Sequence, residues 1–138
     1  MRIPADLLAQ VVDHALRDAP DECCGVLALR NGEAVAVHEL ENVRRGPKKL
    51  GFEVDGPKLA RLLDEIEDAG DELGVIYHSH TVSAPYPSQT DVNFAAGWPG
   101  VEWLIIGTKG AASAEQAEVR SYLIDGATVT EVPVETVA

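Results

Sequence analysis

Residues Leu73-Gly74-Val75-Ile76-Tyr77 form a short apolar run just past Gly70-Asp71, and the run ends in His78-Ser79-His80. Such a run, bounded by a turn signal, predicts a buried β-strand. Side chains two apart on a strand share a face, so His78 and His80 point the same way. Their Cα atoms stand about 6.5–7 Å apart at a rise of about 3.3 Å per residue. Two imidazoles so placed can converge on one metal ion, at about 2.0–2.1 Å each for zinc. A third ligand has to come from elsewhere, and Asp91 is the first candidate downstream.

Around this strand the chain alternates helix and strand patterns. Leu7, Leu8, Val11, Val12, Ala15 and Leu16 recur at helical spacing over residues 4 to 18, with Pro4 near the first turn and Pro20 as the stop. After Asp21-Glu22-Cys23-Cys24-Gly25, Val26-Leu27-Ala28-Leu29 predicts a strand, Asn31-Gly32 a hairpin turn, and Glu33 to Leu40 the returning strand. Residues 41 to 51 are loop by composition, and Phe52-Glu53-Val54 reads as a short strand. Pro57 opens a second helix with Leu59, Leu62, Leu63 and Ile66 as its buried stripe and Gly70 as its C-cap. Its acidic run, Asp64, Glu65, Glu67 and Asp68, reads as a solvated face.

Residues 81 to 87 are a loop. Ser88 then reads as an N-cap with Asp91 three residues on, in capping-box spacing, before Val92, Phe94 and Ala95. Val101 to Gly107 is a further strand and Lys109 to Gln116 a loop. Glu118 to Ile124 and Thr128 to Val134 close the chain as a hairpin around Asp125-Gly126. No repeat or linker divides residues 1–138. The layout predicts an α/β fold: a single domain with a mixed, largely antiparallel sheet flanked by helices.

Eleven basic residues against twenty-three acidic ones leave a net charge of −12. That field repels nucleic-acid backbones. The one basic cluster, Arg44, Arg45, Lys48 and Lys49, is too small to reverse it. No apolar run approaches the ~18 residues of a membrane span, and the N-terminus has no signal-like segment, so the expectation is a cytoplasmic protein without membrane or nucleic-acid partners. Cys23 and Cys24 are adjacent, which makes a strained bridge, and they read as small core residues. His14, beside an apolar helix stripe, and His38, in a strand before Glu39, read as packed or surface histidines.

Two His and one Asp are three protein ligands, the count for a catalytic zinc with an open fourth position. Iron and manganese suit the same donors. A hydrolase built this way needs a base to take a proton from water and hand it to the leaving amine, and Glu22 is the candidate. Ser88 as an N-cap accepts a backbone N–H and keeps its own proton, which it could donate to an oxyanion. The competing reading makes Ser88 and Asp91 a capping box and nothing more.

His78-Ser79-His80, ten residues and then Asp91, with Pro87-Ser88 ahead of it, resembles the JAMM (MPN+) metallopeptidase motif. Pro20-Asp21-Glu22-Cys23-Cys24-Gly25 looks like that family's Pro-x-Glu-x-Cys-Gly segment, which carries its catalytic glutamate. The resemblance implies a JAMM/MPN-like domain with cytidine-deaminase-like layering. It further implies zinc held by His78, His80 and Asp91, Glu22 as general acid/base, Ser88 as oxyanion donor, and cleavage of peptide or isopeptide bonds after ubiquitin-fold proteins. Thr81 departs from the pattern, since many members carry Pro after the second His. The longer string from Tyr77 to Asp91 is most similar to a bacterial branch that releases cysteine from the C-terminus of a ubiquitin-like sulfur-carrier protein, a step in cysteine biosynthesis. The carrier would then be the partner, with the Arg44–Lys49 loop as a candidate docking patch.

Three rivals compete with this reading. A non-catalytic scaffold of the same fold would typically lack the ligands. A structural zinc site using Cys23 or Cys24 would be closed by four protein ligands. A deaminase would need His-x-Glu and Pro-Cys-x-x-Cys, which the chain does not contain.

Overall fold

The structure, a computed structural model, describes residues 1–138. In chain order its elements are β1 (Arg2–Pro4), α1 (Ala5–Asp18), β2 (Cys24–Arg30), β3 (Glu33–Leu40), α2 (Gly56–Asp68), β4 (Glu72–His80), α3 (Gln89–Ala95), β5 (Glu102–Gly107), β6 (Glu118–Asp125), β7 (Thr128–Val132) and β8 (Glu135–Val137). The strands form one sheet in the order β7-β6-β5-β4-β2-β3-β1-β8. Four of its seven pairings are antiparallel, and β1–β3, β1–β8 and β4–β5 are parallel. This is the expected mixed α/β architecture.

β4 runs mid-sheet between β2 and β5. Alternation on β4 and β5 feeds two cores. Val75, Tyr77, Leu104 and Ile106 meet Val11 and Ala15 of α1 on one face. Ile76, Trp103 and Ile105 meet Leu59 and Ile66 of α2 and Ala95 of α3 on the other. A strand covered on both faces reads as a continuous apolar run rather than an alternating one. Burying a large aliphatic side chain such as Leu104 or Ile105 contributes roughly 1.5–3 kcal/mol each. His78 and His80 share the parity of Ile76, so they emerge on the α2/α3 side.

Local signals explain the helix ends. The Asp55 carboxylate accepts from the Lys58 N–H (3.0 Å) and caps α2. At its other end the C-cap is Ala69 rather than the expected Gly70, which follows it with φ +83°. There the Asp71 N–H reaches back to the Ile66 carbonyl (3.1 Å), the bond of a Schellman ending. Ser88 and Asp91 form the expected capping box at α3. Asn31-Gly32 makes the β2–β3 turn with both residues at positive φ.

Three expectations are corrected. Phe52-Glu53-Val54 forms no strand: Phe52 is buried, and the Glu53 N–H is taken by the Asn42 side chain (3.2 Å) instead of a sheet ladder. Pro4 ends β1 rather than sitting inside α1. β1 and β8 are additional strands of three residues each, paired to one another in parallel. Segments so short carry no readable period.

Candidate metal centre and active site

The parallel β4–β5 pair dictates where the site lies. Two parallel neighbours need a crossover between them, and here it spans residues 81 to 101 and contains α3. The crossover leaves from His80 at the end of β4, so the first turn of α3 is returned over the two histidines. The cap geometry then sets the third group. The Ser88 N–H donates to Asp91 Oδ2 (2.9 Å), and the Asp91 N–H donates to Ser88 Oγ (3.1 Å).

The result is a tight cluster of three atoms. His78 Nε2 and His80 Nε2 are 3.0 Å apart, and Asp91 Oδ2 lies 3.1 and 3.2 Å from them. All three residues are buried. His80 Nδ1–H donates to the Ala84 carbonyl (2.9 Å), which leaves the Nε2 of the neutral ring as a lone pair aimed at the cluster. The His78 ring is packed beside Phe52 (centroids 4.7 Å) and Trp103 (6.3 Å), and its Nδ1 has no polar partner.

This donor set fits a cation. With the His80 proton committed to Ala84, the three atoms at 3.0–3.2 Å have at most the His78 proton to share, whereas a cation would meet a donor from each. Ligands about 2.0–2.1 Å from a tetrahedral zinc stand about 3.3–3.4 Å from each other, close to the observed triangle.

Glu22 is a second carboxylate in reach: its ligand atom and those of His78 and His80 lie within 4.8 Å of one another. Electrostatics separates the two acids. Burial opposes ionisation of Asp91, but the charge of His78, the contact with both imidazoles and the hydrogen bond from the Ser88 N–H outweigh it and hold the carboxyl well below the usual range. Glu22 goes the other way. Burial raises it, His80 and Arg44 oppose, Asp91 adds, and the carboxyl is pushed up to about 7. Asp91 is ionised and touches both imidazoles, so it could serve as a third ligand, as could Glu22, whose raised carboxyl could instead hold or release a proton.

The Glu22 segment is pinned from three sides. Its N–H donates to the Lys48 carbonyl (2.8 Å). The buried Asn42 amide donates to the carbonyls of Glu22 (2.9 Å) and Gly51 (3.1 Å), and its oxygen accepts from the N–H groups of Arg44 (3.1 Å) and Glu53 (3.2 Å). Thr81 Oγ donates to the Pro20 carbonyl (2.8 Å). At the position where Pro was the expected residue, this hydroxyl ties the exit of β4 to the approach to Glu22. Sequence reading passed over Asn42, whose only signal is an Asn just past a strand, where such a side chain readily bonds to backbone.

Glu22, His80, Ser88 and Asp91 line a cleft of about 240 Å³. A larger hollow of about 530 Å³, between the end of α3 and β6, has Asp125 as its one titratable group. Chemistry, not size, selects the smaller one.

The cysteines stand apart from the cluster. Cys23 packs in the α1-side core, and the Cys24 thiol faces the Leu40 carbonyl at 3.9 Å. Burial pushes both thiols up to about 12, so neither is a ready thiolate ligand. His14 is a packed histidine, its Nδ1 2.7 Å from the Tyr77 hydroxyl on the opposite face of the sheet. No helix is long and apolar enough to cross a membrane.

Comparison with known proteins bears on family and fold. Residues 4–125 match the family described as prokaryotic homologs of the JAB domain. The chain is 39% identical over 138 residues to the CysO-cysteine peptidase of Mycobacterium tuberculosis, covering 98% of this chain and 90% of that one. It is 35% identical over 122 residues to the Desampylase of Haloferax volcanii, covering 84% and 86%. A JAB1/MPN domain protein from Archaeoglobus fulgidus superposes over the full length of both chains with a TM-score of 0.64 at 22% identity, a likeness of fold. The chain therefore belongs to the JAMM metallopeptidase family, in its branch of prokaryotic JAB-domain homologues.

Proposed function

We propose that this chain, over residues 1–138 as one domain, is a zinc peptidase that hydrolyses the bond between the C-terminus of a ubiquitin-like sulfur-carrier protein and an added cysteine, a step in cysteine biosynthesis. The observation that carries the reading is the convergence of His78 Nε2, His80 Nε2 and Asp91 Oδ2 within 3.2 Å, beside a protonatable Glu22. The near full-length 39% identity to a CysO-cysteine peptidase supports the substrate. A cytoplasmic address suits the free thiols of Cys23 and Cys24.

His78, His80 and Asp91 would hold the ion, and Ser88 positions Asp91 through the capping box. When bound, zinc supplies Lewis acidity that acidifies water and polarises a carbonyl. The Glu22 carboxylate takes a proton from the attacking water as the new C–O bond forms. It returns that proton to the nitrogen of cysteine as the C–N bond breaks. A buried carboxyl, whose charged form burial disfavours, suits both directions of transfer. Ser88 Oγ keeps its hydroxyl proton while accepting from the Asp91 N–H, so it can donate to the oxyanion of the tetrahedral intermediate.

A second reading has support of its own, since the 35% identity to a Desampylase favours a target that is a protein conjugate. Intact mass spectrometry separates the two. Carrier bearing a C-terminal cysteine, and carrier joined to a lysine side chain, are incubated with wild type and Glu22→Gln at matched zinc content. Loss of one cysteine by wild type alone is the expected result. Cleavage of the conjugate only would move the assignment to the second reading, and equal cleavage by Glu22→Gln would overturn the mechanism.

A further inference from the structure

Lys49 is the one lysine or arginine among the residues lining the cleft that holds Glu22, His80, Ser88 and Asp91. Its backbone is held beside the cleft, and its side chain is exposed. The neighbouring Lys48 carbonyl accepts from the Glu22 N–H (2.8 Å), and the Lys49 carbonyl is 3.5 Å from Thr81 Oγ. Asn42 clamps the loop at Arg44, Gly51 and Glu53. The other nearby cation, Arg44, is folded back: its guanidinium lies where a Cβ on Gly51 would sit.

The reaction proposed above leaves an unmet requirement. The departing residue is C-terminal and brings a free carboxylate into a cleft containing two acidic side chains, on a chain of net charge −12. Without a cation such an anion is repelled. Covalent geometry also says where the cation must be. The nitrogen and carboxylate carbon of one amino acid are only about 2.5 Å apart, set by two bonds of about 1.5 Å and an angle near 111°. The group that protonates the leaving nitrogen and the group that holds the carboxylate are therefore neighbours. The backbone bond between Glu22 and Lys48 brings Lys49 beside Glu22 on the same cleft, with its side chain in reach.

We infer that the Lys49 ammonium binds the α-carboxylate of the residue released, so that the cleft selects a free C-terminus one residue beyond the scissile bond. This rests on the reaction proposed above and adds its specificity device. A conjugate bond to a lysine side chain presents no such carboxylate.

The test uses a carrier-tail peptide ending in Gly-Cys, as free acid and as carboxamide, with zinc-loaded protein. Wild type is expected to favour the acid about tenfold in KM, the lower end for a hydrogen bond to a charged group, with kcat nearly unchanged. Lys49→Ala should lose the preference by weakening the acid alone. Lys49→Arg should retain it, and Arg45→Ala, a charge control in the same loop outside the cleft, should leave it intact. Equal cleavage of acid and amide by wild type would overturn the inference and leave the peptidase standing. Absence of any cleavage would instead overturn the proposed reaction. The binding of both peptides to zinc-loaded Glu22→Gln then decides on Lys49 separately. Acid-selective binding abolished by adding Lys49→Ala supports it, and equal binding of acid and amide refutes it.

Discussion

Replacing Glu22 with Gln should stabilise the metal-free protein, and only at the pH where the acid would ionise. Glu22 is 6% exposed, and its carboxyl is raised from an ordinary 4.5 to about 7, chiefly by burial. A group raised on folding contributes stability that is fully present below its unfolded pKa and is lost as pH climbs through its folded pKa. The wild type therefore loses stability between about pH 4.5 and 7 on this account, and Gln has no proton to lose. At 1.36 kcal/mol per unit the ceiling is about 3 kcal/mol. The cleft admits some solvent screening, which brings the expected gain to about 1–2 kcal/mol. For a domain of this size that is about 3–8 °C in Tm. Thermal melts of both proteins in chelator from pH 4 to 9 measure it: the curves should converge near pH 4, separate up to pH 7 and run parallel above. Saturating zinc should narrow the gap, because a nearby dication favours the carboxylate. A difference independent of pH, or a Glu22→Gln protein less stable at pH 8, would refute the placement of Glu22 as a buried, desolvated acid.

Asp91→Ala should abolish tight metal binding by elemental analysis while Glu22→Gln keeps about one ion per chain; equal loss in both would make Glu22 a ligand. Asn42→Ala removes the partner of four backbone groups and should cost about 2–3 kcal/mol in urea unfolding, with kcat falling more than KM rises as Glu22 is released. Thr81→Val, which loses the hydroxyl bonded to Pro20, should lower kcat a few-fold while metal content stays unchanged. Gly25→Ala puts a methyl group into the ring of buried Tyr77, and an overpacking cost of roughly 1–3 kcal/mol should appear as a lower denaturation midpoint.

What could be read in advance was what is local. His78 and His80 share a face because strands repeat every two residues, and Ser88 fixes Asp91 because a capping box needs only a helix start. Glu22 was legible as a residue type between a helix stop and a strand, but its raised pKa depends on burial that only the folded loop creates. Phe52-Glu53-Val54 has the apolar alternation of a strand, yet its backbone is claimed by Asn42 and its ring by His78. β1 and β8 find each other between Arg2 and Glu135, a pairing too distant and too short to leave a local trace. The hold of Asn42 on four backbone groups was invisible for the same reason: three of them lie across a loop or on another segment.

The crossover between β4 and β5 also divides the site by the order in which it can be assembled. His78, His80 and Asp91 come from one stretch whose farthest members are 13 residues apart. Closing so short a loop costs little chain entropy. Glu22 arrives only when β2 docks on β4; the neighbouring bond from the Cys23 N–H to Ser79 Oγ bridges 56 positions. The three-atom cluster is thus local in the sequence, while the carboxyl beside it depends on a long-range docking.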